Sequence, residues 1–85
     1  MRIHLHKNFE KPYSKLSPAI KEKFKERRNL FMNNPFNPIL NNHSVDKAYP
    51  GCRSINITGD YRVIFRQNDN LVEFINIGTH SQLYG

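Results

Sequence analysis

The run Arg53-Ser54-Ile55-Asn56-Ile57-Thr58-Gly59-Asp60-Tyr61-Arg62-Val63-Ile64-Phe65 alternates apolar and polar residues on both sides of a Gly-Asp pair. Period-two alternation flanking a two-residue turn is the pattern of a β-hairpin. A second polar turn, Asn68-Asp69-Asn70, separates it from Leu71 to Ile77. Strands over Cys52–Thr58, Tyr61–Arg66 and Leu71–Ile77 therefore form a three-stranded antiparallel meander. If Val63 and Phe65 share one face with Ile55 and Ile57, Arg62 projects from the opposite face, which is expected to be open.

Working back from the meander, Asn33-Asn34-Pro35-Phe36-Asn37-Pro38 cannot continue a helix and reads as a loop, with Phe36 its expected anchor. Before it, Ser17-Pro18 pairs an N-cap with a proline at the first helical position. The helix that follows runs to about Asn33. Leu16, Ile20, Phe24 and Phe31 form its apolar stripe, and Lys21, Lys25 and Arg28 line one flank. Arg27 falls within the stripe by angle, so its stem is expected to pack on the core with the guanidinium at the edge, the alternative being a reach toward a site. A shorter helix starts at Asn8 as N-cap and meets Pro12 about a turn inside. Ile3 and Leu5 alternate with Arg2, His4 and His6 in a first, half-buried strand. The order is β-α-α-β-β-β. This is an α+β domain spanning residues 1–85, a small antiparallel sheet with two N-terminal helices packed on one face and a tail from Thr79 to Gly85.

Composition narrows the function. The 85 residues suit one small domain, and 13 Lys and Arg against 7 Asp and Glu give a formal charge of +6. Residues 7–28 hold eight of those basic residues against three glutamates, so the excess is concentrated on the helices. A polyanionic partner fits that charge, although a charge run on a helix is usually only its solvated face. No stretch reaches the roughly 20 apolar residues of a membrane span, and Met1 to His6 has no signal-peptide core, so a cytoplasmic location is expected. A single cysteine, Cys52, excludes an internal disulfide framework and reads as a small packing residue.

No phosphate loop, nucleophile elbow or zinc spacing is present. What remains is a scatter of polar residues in the second half: His43, Arg53, Asp60, Arg62, His80 and Tyr84. Singly, each has an ordinary reading as a turn, strand or tail residue.

Their order changes that reading. His43-Ser44-Val45, the Arg53–Phe65 run, and Ile77-Gly78-Thr79-His80-Ser81-Gln82-Leu83-Tyr84 resemble the RelE/ParE superfamily of bacterial toxins, the last run its YafQ-like branch. Phe9 to Leu16 and Asn34 to Leu40 follow the family pattern too. The resemblance implies the toxin of a type II toxin–antitoxin pair, an mRNA endoribonuclease that acts on translated messages at the ribosome, is neutralised by an antitoxin protein, and needs no metal or other cofactor. It places the active site at His43, Asp60, Arg62, His80 and Tyr84. Contacts to RNA are expected from Lys21, Lys25 and Arg28 on the helix and from Arg53 and Tyr61 on the sheet. One departure stands out: where some members have a further histidine, this chain has Asn56, which can hydrogen-bond but cannot shuttle a proton near neutral pH.

The chemistry agrees with the residue types. RNA cleavage needs a base for the ribose 2′-OH, a cation on the charged phosphorane and an acid for the leaving 5′-oxygen. Histidine serves either proton role near neutrality, and arginine's fork suits phosphate. Arg62 is assigned to the phosphate, His80 to the acid, His43 or Asp60 to the base, and Tyr84 to orienting or stacking the substrate. Two other readings compete: a ParE-like gyrase inhibitor on the same fold, and a non-catalytic nucleic-acid-binding relative. The first generally lacks the paired histidines.

Overall fold

The computed structural model describes residues 1–85. Strand β1 (Arg2–Leu5) leads into helices α1 (Lys7–Ser14) and α2 (Pro18–Asn33), then a 3-10 turn at Pro38–Leu40. Strands β2 (His43–Ser44), β3 (Arg53–Asn56), β4 (Tyr61–Asn68) and β5 (Leu71–Thr79) follow, and a short helix α3 (His80–Tyr84) closes the fold. The five strands lie in the order β1-β5-β4-β3-β2. Strands β3, β4 and β5 form the expected antiparallel meander, with Ile55 opposite Val63 and Arg62 opposite Gly78.

The sheet is mixed rather than wholly antiparallel, because β1 runs parallel to β5, Ile3 opposite Val72 and Leu5 opposite Phe74. No tight turn ties the direction of β1 to its partner, since both helices and the rest of the sheet intervene, and such a long crossover suits a parallel pair. Helix α2 begins where Ser17-Pro18 predicts, with Ser17 Oγ accepting from Ile20 N at 3.3 Å. Helix α1 is capped by His6 rather than Asn8, its Nδ1 accepting from Asn8 N at 3.0 Å. The tail is not extended. Thr79 Oγ1 accepts from Gln82 N while Gln82 Oε1 accepts from Thr79 N, a reciprocal pair of bonds that starts α3.

Under the helices lies the main core, built on Phe9, Phe24, Phe31, Leu40, Ile55, Ile57, Val63, Phe65, Val72, Phe74 and Ile77. The Phe74 ring meets those of Phe9, Phe24, Phe31 and Phe65 at centroid separations of 5.9–6.4 Å. Rings so spaced attract one another beyond the area they bury. The loop after α2 is anchored by Leu40, fully buried, and not by Phe36, which is 67% exposed with only the Arg53 guanidinium above its ring. Three asparagine side chains satisfy the loop's own backbone locally, Asn34 accepting from Phe36 N, Asn37 accepting from Ile39 N and Asn42 donating to the Pro35 carbonyl, so it needs no large ring inside.

The opposite face is not fully open either. Cys52, Ile64 and Leu83 form a second small core there, covered by the 45–52 loop and α3. Burial pushes the Cys52 thiol above its ordinary value, so it stays protonated and packs.

Between β4 and β5 the register slips: Ile64 pairs with Asn76 and Phe65 with Phe74, leaving Ile75 as a bulge. Because of that extra residue, Val72, Phe74 and Ile77 all reach the helix side, and Gly78 turns to the other face beside Arg62.

Farther along that face Arg66 Nη2 lies 2.7 Å from Glu73 Oε1, and His4 Nδ1 lies 3.3 Å from Oε2. The Arg66 bond above all holds the Glu73 carboxyl below its ordinary value of 4.5. On acidification the unfolded chain therefore takes up this proton first, and the stabilisation, complete above the ordinary value, fades as pH falls through the lowered one. Glu73→Gln is expected to lower Tm at neutral pH and to flatten the decline of Tm between about pH 5 and pH 3. Thermal melts at both pH values check this, and a decline as steep as in the unsubstituted chain would remove Glu73 from the acid response.

Candidate active site

A cleft of about 540 Å³ opens on the sheet face away from α1 and α2, and His43, Arg62, His80 and Tyr84 line it together. They arrive from separate segments. His43 sits on β2, opposite Ser54 of β3, and Arg62 sits on β4, opposite both Asn56 and Gly78. His80 and Tyr84 lie one turn apart on α3, their rings 4.8 Å apart.

Gly78 lets α3 come this close. A Cβ there would stand 2.9 Å from Gln82 Oε1 and 3.2 Å from Gln82 Cβ. The far end of α3 is tied down by Tyr49, whose hydroxyl donates to the Leu83 carbonyl at 2.6 Å and whose ring meets Tyr84 edge-on at 5.8 Å. Burial pushes the Tyr84 phenol above its ordinary value of 10.0, and the nearby Tyr49 adds to that, while Arg62 and the Ser54 hydroxyl pull the other way. Tyr84 is therefore a neutral donor and a flat ring at physiological pH, not a base. Ser54 Oγ, fully buried beneath it, completes no hydrogen bond of good geometry.

Arg62 is steered from the hairpin, its Nη1 donating to the Asp60 carbonyl at 3.2 Å. The Asp60 side chain itself stands exposed on the turn, outside the cleft lining. His43 Nδ1 lies 2.7 Å from the Asn41 carbonyl. A carbonyl only accepts, so in neutral His43 the proton sits on Nδ1 and Nε2 is left as the free acceptor.

The residues expected to touch RNA are placed differently. Arg53 is committed to the loop, its Nε donating to Asn42 Oδ1 at 2.8 Å and its guanidinium lying over Phe36. Tyr61 packs against the main core and borders a second groove with Lys11 and Lys15. Lys21 reaches the Ser14 carbonyl and the Tyr13 ring, Lys25 reaches Glu22, and Arg28 reaches Asn29 and the Phe24 ring. That basic flank belongs to the helical layer, across the sheet from the cleft. Arg27 packs as its angle predicts, with Nε buried.

Sequence reasoning missed Asp46 and Lys47, which also line the cleft. Asp46 Oδ1 accepts from Gly51 N at 2.7 Å and closes the 45–52 loop, while Lys47 adds a second cation to the rim. Pro50-Gly51 was the available sign of that turn, Gly51 taking a φ of +75°.

A family model described as "Bacterial toxin of type II toxin-antitoxin system, YafQ" matches residues 1–85. The chain belongs to the YafQ toxin family. Among curated proteins, the mRNA interferase toxin YafQ of Escherichia coli (strain B / BL21-DE3) is 29% identical over 65 residues, 74% of this chain and 71% of that protein. The crystal structure of YafQ from E. coli BL21(DE3) superposes with a TM-score of 0.84 at 24% identity, both chains covered in full. YafQ in the E. coli DinJ–YafQ toxin–antitoxin complex gives 0.81 at 23% identity, over 98% of this chain and 96% of that one. The RelE/ParE superfamily and its YafQ-like branch, implied by the His43, Arg53–Phe65 and Ile77–Tyr84 runs, are thus the right assignment, and the α+β fold is shared.

Tyr49→Phe removes the bond to Leu83 and is expected to cost about 1 kcal/mol. In a domain this size that is a fall in Tm of about 4–8 °C. Thermal unfolding followed by circular dichroism checks it, and an unchanged midpoint would mean that the bond does not hold α3.

Proposed function

We propose that this YafQ-family chain is an mRNA endoribonuclease that inhibits translation by cutting messages at the ribosome. The convergence of His43, Arg62, His80 and Tyr84 on one cleft supports the reading most directly. His43 Nε2 takes the proton of a ribose 2′-OH, and the freed oxygen attacks the adjacent phosphorus. The bond from phosphorus to the 5′-oxygen breaks as protonated His80 gives its proton to that leaving oxygen. The products are a 2′,3′-cyclic phosphate and a 5′-hydroxyl, and the two histidines have exchanged protonation states. Arg62 faces the phosphate, where its charge offsets that gathering on the phosphorane. Tyr84 stacks on an unpaired base or donates to it.

His43 is preferred to Asp60 as the base because its Nε2 is free and it lines the cleft, whereas the Asp60 carboxylate lies outside. The basic flank of α2, with Lys21, Lys25 and Arg28, suits the phosphates of the message or ribosome, or an acidic segment of a cognate antitoxin. The DinJ–YafQ complex of E. coli supports an antitoxin partner for this chain as well.

Inducible expression in a bacterium, with mapping of mRNA 5′ ends, tests the reading. Growth arrest with new cleavage sites is expected. His80→Ala is expected to reduce cleavage by about 10²–10⁴-fold, and Arg62→Ala by about 10²–10³-fold. Arrest with intact mRNA and blocked DNA supercoiling would instead establish a gyrase inhibitor, and absence of any effect would leave a non-catalytic binding module.

A further inference from the structure

We propose that Asn41 is a positioning residue that sets the tautomer of His43, and that the asparagine-rich loop before β2 is built to hold it there. The inference rests on His43 acting as the base. Asn41 takes a left-handed backbone, φ 48° and ψ 51°, at the end of the 3-10 turn, with its N–H on the Pro38 carbonyl at 3.2 Å. This conformation is uncommon outside glycine, and asparagine tolerates it better than most residues. It is also what turns the Asn41 carbonyl back onto His43 Nδ1, two residues on, at 2.7 Å.

The next residue keeps the turn from relaxing. Asn42 Nδ2 donates to the Pro35 carbonyl at 3.0 Å, and its Oδ1 and backbone carbonyl accept from the Arg53 fork at 2.8 and 3.4 Å. Arg53 is in turn fixed by strand pairing, opposite Ser44 on one side and Phe65 on the other. A path of direct contacts thus runs from the centre of the sheet through Arg53 and Asn42 to the carbonyl that orients His43. Arg53 acts on the site through this loop and not by touching RNA.

An imidazole exposed to water is free to place its proton on either nitrogen. Here one nitrogen faces an obligate acceptor, so the other is kept lone-pair outward at the cleft, ready for a hydroxyl proton. When that proton arrives, the Nδ1–H bond to the carbonyl remains and steadies the imidazolium.

Nitrogen-15 spectra of the full chain read the tautomer directly, with His43→Gln assigning the signal. Neutral His43 is expected as the Nδ1–H form. Asn41→Val, whose branched side chain resists the left-handed backbone, is expected to return it to a mixture and to lower kcat on an RNA substrate by about 10²-fold with KM little changed. Asn41→Gly keeps both backbone and carbonyl and is expected to restore the Nδ1–H form, which a role for the amide side chain would not predict. Arg53→Ala is expected to loosen the tautomer as Asn41→Val does, with circular dichroism confirming the fold. A neutral His43 found as the Nε2–H form, or an Nδ1–H form unmoved by Asn41→Val, overturns the proposal. If the tautomer responds as expected but the unsubstituted chain cuts no RNA, the nuclease reading fails and the His43 device would have to serve binding.

Discussion

The bulge at Ile75 is the constraint on which the site depends. Without it, strict alternation from Val72 and Phe74 would carry Asn76 inward and turn Ile77 out of the core. With it, Ile77 is recovered for the core and Gly78 is delivered to the far face, level with Arg62. Thr79 then starts α3 directly over that glycine, and His80 and Tyr84 follow within one turn. One unpaired residue thus converts a core strand into a platform that presents two side chains to a third. Bulges commonly serve to re-aim side chains near functional sites, and this one does so without loss of the aromatic cluster around Phe74.

The two faces of the sheet divide the work unequally. Eleven buried apolar residues lie in the main core beneath the helices and only three in the small core by the cleft. A chain of this length has little apolar material to spare, so its stability is concentrated on the helical side. The cleft side can then be assembled from short, locally bonded pieces: a two-residue strand, a loop closed by Asp46, and a five-residue helix pinned at both ends. The formal charge shows the same separation, with the basic flank of α2 in the layer opposite the cleft. On the proposed reading, two partners are held on different surfaces, with the charge excess serving docking rather than the chemistry.

Much of the fold was legible where period and turn chemistry agree. The hairpin around Gly59-Asp60 and the Ser17-Pro18 helix start are local signals; the structure keeps the helix start and the hairpin, but β3 ends at Asn56 and the connection takes four residues, 57–60, closed by the Thr58 hydroxyl. What was hidden depends on tertiary context. Nothing in Leu71 to Ile77 announces a bulge, because the extra residue is defined only by its partner strand. The direction of β1 was equally silent, as no turn links it to β5. Phe36 stays outside because three asparagine side chains already satisfy that loop and Leu40 fills the core beneath it. At the site, His43, Arg62, His80 and Tyr84 were recoverable only from the family pattern, since their spacing along the chain has no period. Lys47 and Asp46 carried no spacing signal, and the loop that brings them to the rim is closed by a single side-chain bond.

Asn56 sharpens the chemical argument. It faces Arg62 across the strand pair, the place from which a further histidine would act, yet it lies outside the cleft lining and its buried Oδ1 has no partner. It has no group that exchanges protons near neutrality. On the proposed reading, proton transfer therefore falls to His43 and His80 alone, one on the short outer strand and one on the C-terminal helix. With only two such groups, each must be in the right protonation state and pointing the right way at the same moment. A carbonyl that fixes the tautomer of one, and a helix locked at both ends that fixes the position of the other, are what a two-histidine site requires.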